Sequence, residues 1–306
     1  MTGHWLDVVG IGADGAKGLG DELRALIEGA HLVVGGRRHL AMVDGLGAGE
    51  RVAWSSPMDA TFERLVAQRG RPPAVVLASG DPLWFGISRL LLQRFNVSEL
   101  RFHPTVSALQ LAAARLGWPL ADCLCLSLHG RPLASLARHL APGRRLLVLT
   151  ADGASPAAIG EFLTGTGHGH ATLTVLEHLG GPDEHRVSFR ADEAAARRFA
   201  DLNTLGIELD PGAVAGHGLS QGLPDGAYIH DGQLTKQDMR AITLAHLAPR
   251  PGERLWDIGA GAGSIAIEWL LAGRSCPDRP LTAVAVEARP ERLAMLIENA
   301  HRLGVP

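Results

Sequence analysis

The sequence predicts an α/β protein with mainly parallel strands, followed by a second, partial α/β unit. Three observations predict this. At 306 residues the chain exceeds the length at which a single core stops growing, so two domains are expected. Short apolar runs alternate with helix-period segments almost from the first residue. Near residue 205 that rhythm gives way to a Gly- and Pro-rich stretch with no usable period.

In chain order, WLDVVGIG, HLVVGG, AVVLASG, LCLSL, RLLVLT and TLTVLEHL read as buried strands, because near-continuous apolar runs suit sheets covered on both faces. DELRALIEGA, ATFERLVAQRG, WFGISRLLLQRF, VSALQLAAARLG and SPAAIGEFL read as the intervening helices. Asp59 and Ser155 are expected N-caps, and Gly70 and Gly117 expected helix stops. The stretch LDPGAVAGHGLSQGLP carries the linker, residues 210–223, between domains at 1–209 and 224–306. Beyond it TKQDMRAITLAHL, GSIAIEWLLAG and RPERLAMLIENAHRLG read as helices around the strands RLWDIGAG and LTAVAVEA. Two strands do not complete a doubly wound sheet, so this unit is expected to be the first part of a larger one, cut short at Pro306.

Composition narrows the function classes. A hydrophobic fraction of 46% with 20% charged residues is that of a folded globular chain and excludes disorder. A net charge of -3 argues against non-specific nucleic-acid binding. No apolar run approaches a membrane span and the start MTGHWLDVVG lacks a signal-peptide pattern, so a soluble, cytoplasmic protein is expected. Three cysteines give no disulfide framework. Cys123 and Cys125 would share one strand face as small buried hydrophobes, and Cys276 sits in a polar loop. His168 and His170 in TGTGHGHAT have no Cys or acid at ligand spacing, so an exposed loop and no metal site are expected.

Two Gly-rich turns carry the chemistry. In DIGAGAGS, Gly259, Gly261 and Gly263 follow a strand and open a helix, but Ser264 stands where a dinucleotide fingerprint has its third glycine. Such a turn allows close backbone approach by a nucleoside without a pyrophosphate. Asp257 ahead of it could meet a cationic amino-acid group, and Glu287, ending the next strand, could accept from two ribose hydroxyls. That combination suits S-adenosylmethionine better than NAD. In VVGIGADG the fingerprint G-x-G-x-x-G is literal from Gly10 to Gly15. The next strand, HLVVGGRRH, brings Arg37 and Arg38 where the fingerprint wants an acid. Arginines there could take a 2′-phosphate, which leaves an NADP-dependent reductase as an alternative.

The run from Leu234 to Trp269 resembles the C-terminal methyltransferase domain of the cobalamin-pathway enzymes that methylate precorrin-6B and decarboxylate one acetate arm. The segments VVGIGADG, VVGGRRHL, LASGDPLWFGISRLLL, HPTVSALQLAAARLGWPLADCLCLSLHGRP and LLVLTADGASPAAIGEFL occur in the order seen in tetrapyrrole methylases. They most resemble the branch that methylates precorrin-6Y at C5, over roughly Trp5 to Leu209. One departure is the first loop, which has Gly12-Ala13-Asp14-Gly15 where the family often has G-x-G-P-G.

The resemblance implies two αβα lobes with S-adenosylmethionine in the cleft between them, then a partial Rossmann-like class I methyltransferase domain. It implies methylation of precorrin-6B at C5 and C15, with decarboxylation of the C12 acetate, to give precorrin-8X, in a dimer or larger homo-oligomer. It points to Gly10 and Gly12 as the loop beneath the substrate, to Ser79, Gly80 and Asp81 in the turn that holds the cofactor, and to Thr105 and Ser107 facing it. Turn and N-cap chemistry is the plainer reading of Asp81, Thr105 and Ser107. In the second unit it points to Thr235, Gly259 through Gly263, and Glu287. A tetrapyrrole carries acetate and propionate arms, for which Arg37, Arg38, His129 and Arg131 are the candidate partners. Plain solvated surface is the alternative for them, and a non-catalytic tetrapyrrole-binding protein is a further alternative for the chain. No strong base is required, since the reduced macrocycle carbon is enamine-like, and no nucleophile triad is expected.

Overall fold

The computed structural model describes residues 4–69, 71, 73–212, 221–273 and 279–305. Gly70, Cys276 and most of the 210–223 linker fall outside the described residues. The first sheet has the order β3-β2-β4-β1-β5, built from β1 (Leu6–Ile11), β2 (Leu32–Gly35), β3 (Glu50–Ala53), β4 (Ala74–Ser79) and β5 (Leu100–His103). Its pairings are parallel throughout. Helices cover both faces, as such a sheet demands. Leu6, Val8, Val34 and Val76 pack toward Phe62 and Leu65 of α3 (Asp59–Ala67) and Leu91 of α4 (Ser88–Leu92). Val9, Ile11, Val75 and Leu77 pack toward Ile27 of α1 (Asp21–Gly29) and Leu40 of α2 (Arg37–Met42). The polar intruder in β1, Asp7, is buried and bonded to the His103 ring (2.8 Å).

The second sheet has the order β6-β7-β10-β8-β9: β6 (Cys123–Ser127), β7 (Arg145–Leu149), β8 (Thr172–Glu177), β9 (His185–Arg190) and β10 (Asn203–Glu208). Only β6 and β7 pair in parallel; the other pairs are antiparallel. The expectation of mainly parallel strands is therefore corrected for this lobe. One face packs on α6 (Ser155–Gly165) through Ile159 and Leu163, the other on α5 (Ala108–Leu116) through Leu109, Ala112 and Ala113. Gly206 lets the end of α5 come close, since a Cβ there would stand 2.6 Å from Leu116 Cδ1.

Beyond residue 220, α7 (Gln237–Leu247), β11 (Arg254–Ile258), α8 (Ser264–Ala272), β12 (Thr282–Val286) and α9 (Pro290–Arg302) form a separate unit with a parallel β11-β12 pair. Its organising feature is ionic. Arg240 of α7 is fully buried, and its Nε donates to Glu268 of α8 (2.8 Å) while Nη1 donates to Asp225 (2.8 Å). Glu268 also accepts from the amides of Gly222 (2.6 Å) and Leu223 (3.0 Å) and from the Tyr228 hydroxyl (3.0 Å). Further bonds run from Arg240 to the carbonyls of Thr235 and Leu223. Burial, with the Glu268 charge beside it, pushes the Tyr228 hydroxyl up, so it stays a donor.

The helix starts differ from expectation. Asp59 and Ser155 are first helical residues; at α6 it is Asp152 Oδ1 that accepts from the amides of Ala154 (3.0 Å) and Ser155 (2.9 Å). Gly117 does end α5, in the left-handed region at φ 68°. Four-residue β2 stops at Gly35, so Arg37 and Arg38 open a helix and do not end a strand. Glu99 ties the first lobe's edge together by accepting from Trp5 Nε1 (3.0 Å), the Asn96 amide (3.0 Å) and Arg69 Nε (2.6 Å). The Trp5 bond, with the Asn96 amide and Arg69, holds its carboxyl down to about 2, from 4.5. A depressed folded value stabilises above the free carboxylate range, and the contribution is lost as pH falls through about 2. In denaturant titrations the stability gap between wild type and Glu99→Gln should be widest above pH 5 and close toward pH 2; a gap independent of pH would contradict it.

Candidate active site

A cavity of about 700 Å³ lies where the carboxyl ends of β1, β2 and β4 face the second sheet. Open parallel sheets place ligands at their carboxyl ends, and this volume suits a nucleoside-sized ligand with part of a larger one. Its floor is the Gly-rich loop after β1, bordered by Ile11 and Gly12; its near wall is Ser79-Gly80 after β4. Gly10 makes this junction possible. A Cβ on it would fall 1.8 Å from the Gly80 carbonyl oxygen, which accepts from the Thr105 amide (3.2 Å) and hydroxyl (3.3 Å). The ends of β1 and β4 and the segment after β5 therefore meet backbone to backbone, with Gly80 in the left-handed region at φ 55°.

Ser107 closes the opposite wall as the N-cap of α5. Its Oγ accepts from the Gln110 amide (3.3 Å), and Gln110 Oε1 accepts from the Ser107 amide (2.8 Å), a complete capping box. Asp81 is engaged in its turn, Oδ1 accepting from the Leu83 amide (2.9 Å). The second lobe contributes Ser127, His129 and a buried pair that sequence reasoning missed: Thr150 Oγ1 donates to Asn203 Oδ1 (2.8 Å), and both border the cavity. Nothing in the local pattern marks Asn203, because its strand is placed by pairing with β8.

The cationic candidates separate. Arg38 and His129 border the cavity. Arg131 lies over the ring of Phe85, a lining residue in the left-handed region at φ 57° (5.7 Å to the centroid). Arg37 is exposed and does not border it. Sequence reasoning also missed His39, whose Nε2 lies 2.8 Å from Ser79 Oγ. Burial, and then the neighbouring Arg38 guanidinium, pull its imidazole down to about 4, so the ring is neutral near pH 7.

The loop geometry also weighs against a nicotinamide dinucleotide. After Gly15 comes a 3-10 turn, and α1 begins only at Asp21, with Asp21 and Glu22 in its first turn. A pyrophosphate needs helix N-terminal amides close to the glycines; here two carboxylates stand where the phosphates would seek them. His168 is buried, with its pKa lowered by burial, which corrects the exposed-loop expectation; His170 is exposed and pairs with Arg190. A second hollow of about 940 Å³ at the opposite end of the second sheet borders none of the residues expected to hold cofactor or substrate, and its Arg145 is already paired with Glu208 (2.8 Å).

In the second unit Gly259, Gly261 and Gly263 all have positive φ, and a Cβ on Gly259 or Gly261 would meet nothing within 4 Å. The space above that turn is open. Glu287 accepts from the Gly261 amide (2.8 Å) through one oxygen and the Arg289 amide (2.9 Å) through the other, and these bonds lower its pKa. Asp257 accepts from the Ala266 amide (3.2 Å), and burial raises its pKa. Thr235 is exposed just ahead of α7.

The family described as Tetrapyrrole (Corrin/Porphyrin) Methylases matches residues 6–195, and the Precorrin methyltransferase domain matches residues 226–306. Precorrin-6Y C(5,15)-methyltransferase [decarboxylating] from Sinorhizobium sp is 47% identical over 308 aligned residues, covering all of this chain and 73% of that protein. Among solved structures, the precorrin-6Y methylase of Archaeoglobus fulgidus superposes with a TM-score of 0.51 at 25% identity, covering 68% of this chain and all of that one. Uroporphyrin-III C-methyltransferase of Thermus thermophilus, solved with S-adenosylhomocysteine, gives a TM-score of 0.52 at 26% identity, covering 67% of this chain and 91% of that one.

Proposed function

This chain belongs to the tetrapyrrole methylase family, and on that premise we propose that it methylates a reduced corrin precursor, precorrin-6B, at C5 and C15 and decarboxylates the C12 acetate. The observation that carries the reading is the cleft between the two lobes, which joins a close-packed glycine junction to a cationic rim. S-adenosylmethionine supplies the electrophilic methyl group. Ser79, Gly80 and Ser107 are assigned to holding it, with the loop from Gly10 to Gly12 under the macrocycle and Asp81 and Thr105 fixing the walls. Arg38, His129 and Arg131 are assigned to the carboxylate arms, since a guanidinium binds carboxylate through two parallel hydrogen bonds. Arg37 stands outside the cavity and is left to the solvent-facing surroundings. What these residues contribute is alignment and exclusion of water.

The division at 1–209, 210–223 and 224–306 becomes a division of labour, with C5 methylation in the first part and C15 methylation with decarboxylation in the last. There Thr235, Asp257, the turn Gly259 to Gly263 and Glu287 are assigned to the cofactor. The open space over Gly259 and Gly261 supports that assignment. A cytoplasmic location and a homo-oligomer go with this reading. The test is to incubate the full chain with precorrin-6B and S-adenosylmethionine carrying a labelled methyl group. Product carrying labelled methyl groups at both C5 and C15, and lacking the C12 carboxyl, is expected. No transfer of label to the tetrapyrrole, together with calorimetric heat from NADP and none from S-adenosylhomocysteine, would overturn the proposal and favour the reductase.

A further inference from the structure

We propose that His39, acting through Ser79, accepts the proton that C5 must lose when it is methylated; this rests on the C5 reading above. Replacing a hydrogen on an unsaturated ring carbon by a methyl group leaves one proton to be removed, and the cavity must pass it to something. Ser79 stands at the carboxyl end of β4, exposed to the cavity. Behind it His39 Nε2 lies at 2.8 Å from Ser79 Oγ, and Arg38 Nη2 lies at 3.4 Å from both atoms. A nitrogen that faces a guanidinium keeps its lone pair, so the hydroxyl donates to Nε2 and the ring hydrogen sits on Nδ1. That Nδ1 is buried and has no hydrogen-bond partner. A buried polar atom left unpaired is uncommon, and such exceptions concentrate at working sites. The ring packs against the turn from β2 into α2, where a Cβ on Gly36 would stand 3.4 Å from Nδ1.

C5 takes the methyl group while the carbon–sulfur bond breaks and leaves its electron pair on sulfur, and the ring system becomes cationic. The C5–H bond then breaks, and its electron pair restores the neutral conjugated ring. Its proton goes to Ser79 Oγ as the hydroxyl proton passes to His39 Nε2. A carbon acid beside an iminium nitrogen is strong enough for a weak base. Arg38, the charged group bearing on the ring among the described residues, drives the proton on to water and restores the neutral imidazole.

Two readouts test this. In the unloaded full chain, ¹⁵N NMR of the imidazoles should show His39 hydrogenated on Nδ1, with no protonation of Nε2 down to about pH 5. A ring hydrogenated on Nε2, or titrating above pH 6, overturns the proposal. In single turnovers with a substrate deuterated at C5, His39→Gln should lose about 100-fold or more in rate and gain a primary isotope effect, with unchanged affinity for S-adenosylhomocysteine. Added imidazole should restore part of the rate to His39→Ala. A wild-type rate in His39→Gln, or a loss with neither isotope effect nor imidazole rescue, overturns it. Failure of the wild type to methylate C5 at all would instead overturn the reading on which it rests.

Discussion

Arg240→Met is expected to weaken the 221–305 unit by about 3–5 kcal/mol, the usual result of leaving one partner of a buried ion pair without the other. Glu268 would keep three hydrogen bonds, from the Gly222 and Leu223 amides and the Tyr228 hydroxyl, but no buried cation. Asp225 would lose its Nη1 partner as well, though its exposed neighbour Lys236 remains at 3.5 Å. The loss should show in urea titrations and as faster hydrogen exchange of the Gly222 and Leu223 amides. The double variant Arg240→Met, Glu268→Leu should recover most of it, because apolar residues of similar volume replace a buried ion pair at little cost. A single variant as stable as wild type would show that water reaches Glu268.

Gly10→Ala should weaken cofactor binding at the first site. The added methyl would sit 1.8 Å from the Gly80 oxygen and 3.0 Å from the Thr105 nitrogen, both backbone atoms that no rotamer change can move. Overpacking of this kind costs about 1–3 kcal/mol, and more where backbone must shift. The shift would open the wall that Ser79 and Gly80 form, so affinity for S-adenosylhomocysteine should fall by about tenfold or more, equal to about 1.4 kcal/mol. Gly20→Ala is the control, since a Cβ there meets nothing within 4 Å. Calorimetry on the full chain, with the second site removed by Gly263→Leu, reads the first site alone. Equal affinity in wild type and Gly10→Ala on that background would contradict the tight junction.

Much of this architecture is legible in the sequence, and the gaps have definite causes. β1, β4 and β7 declare themselves because each is apolar on both faces. β9, HRVSFR, does not. It is an edge strand that brings only Val187 and Phe189 to the core. β10 hides for another reason, since Gly206 interrupts its short apolar run in order to admit Leu116. Strand direction cannot be read from periodicity at all, because a strand covered on both faces looks the same either way round. This is why the second lobe reads as parallel and is not. At the site, glycine spacing and the SGD and TVS segments mark the loops. His39 carries no such mark, because its partnership with Ser79 spans 40 residues and depends on β2 lying beside β4.

The position of β10 bears on how the chain is made. The parallel sheet has all its strands once residue 103 has been synthesised, so the first lobe can form while the remainder is still being translated. The other sheet has its middle strand last, at residues 203–208, between two strands made earlier. Until that strand leaves the ribosome, β7 and β8 each present an unpaired inner edge of the sort that invites association with other chains. Slow codons or a chaperone would matter most while residues 150–208 emerge, and hardly at all before them.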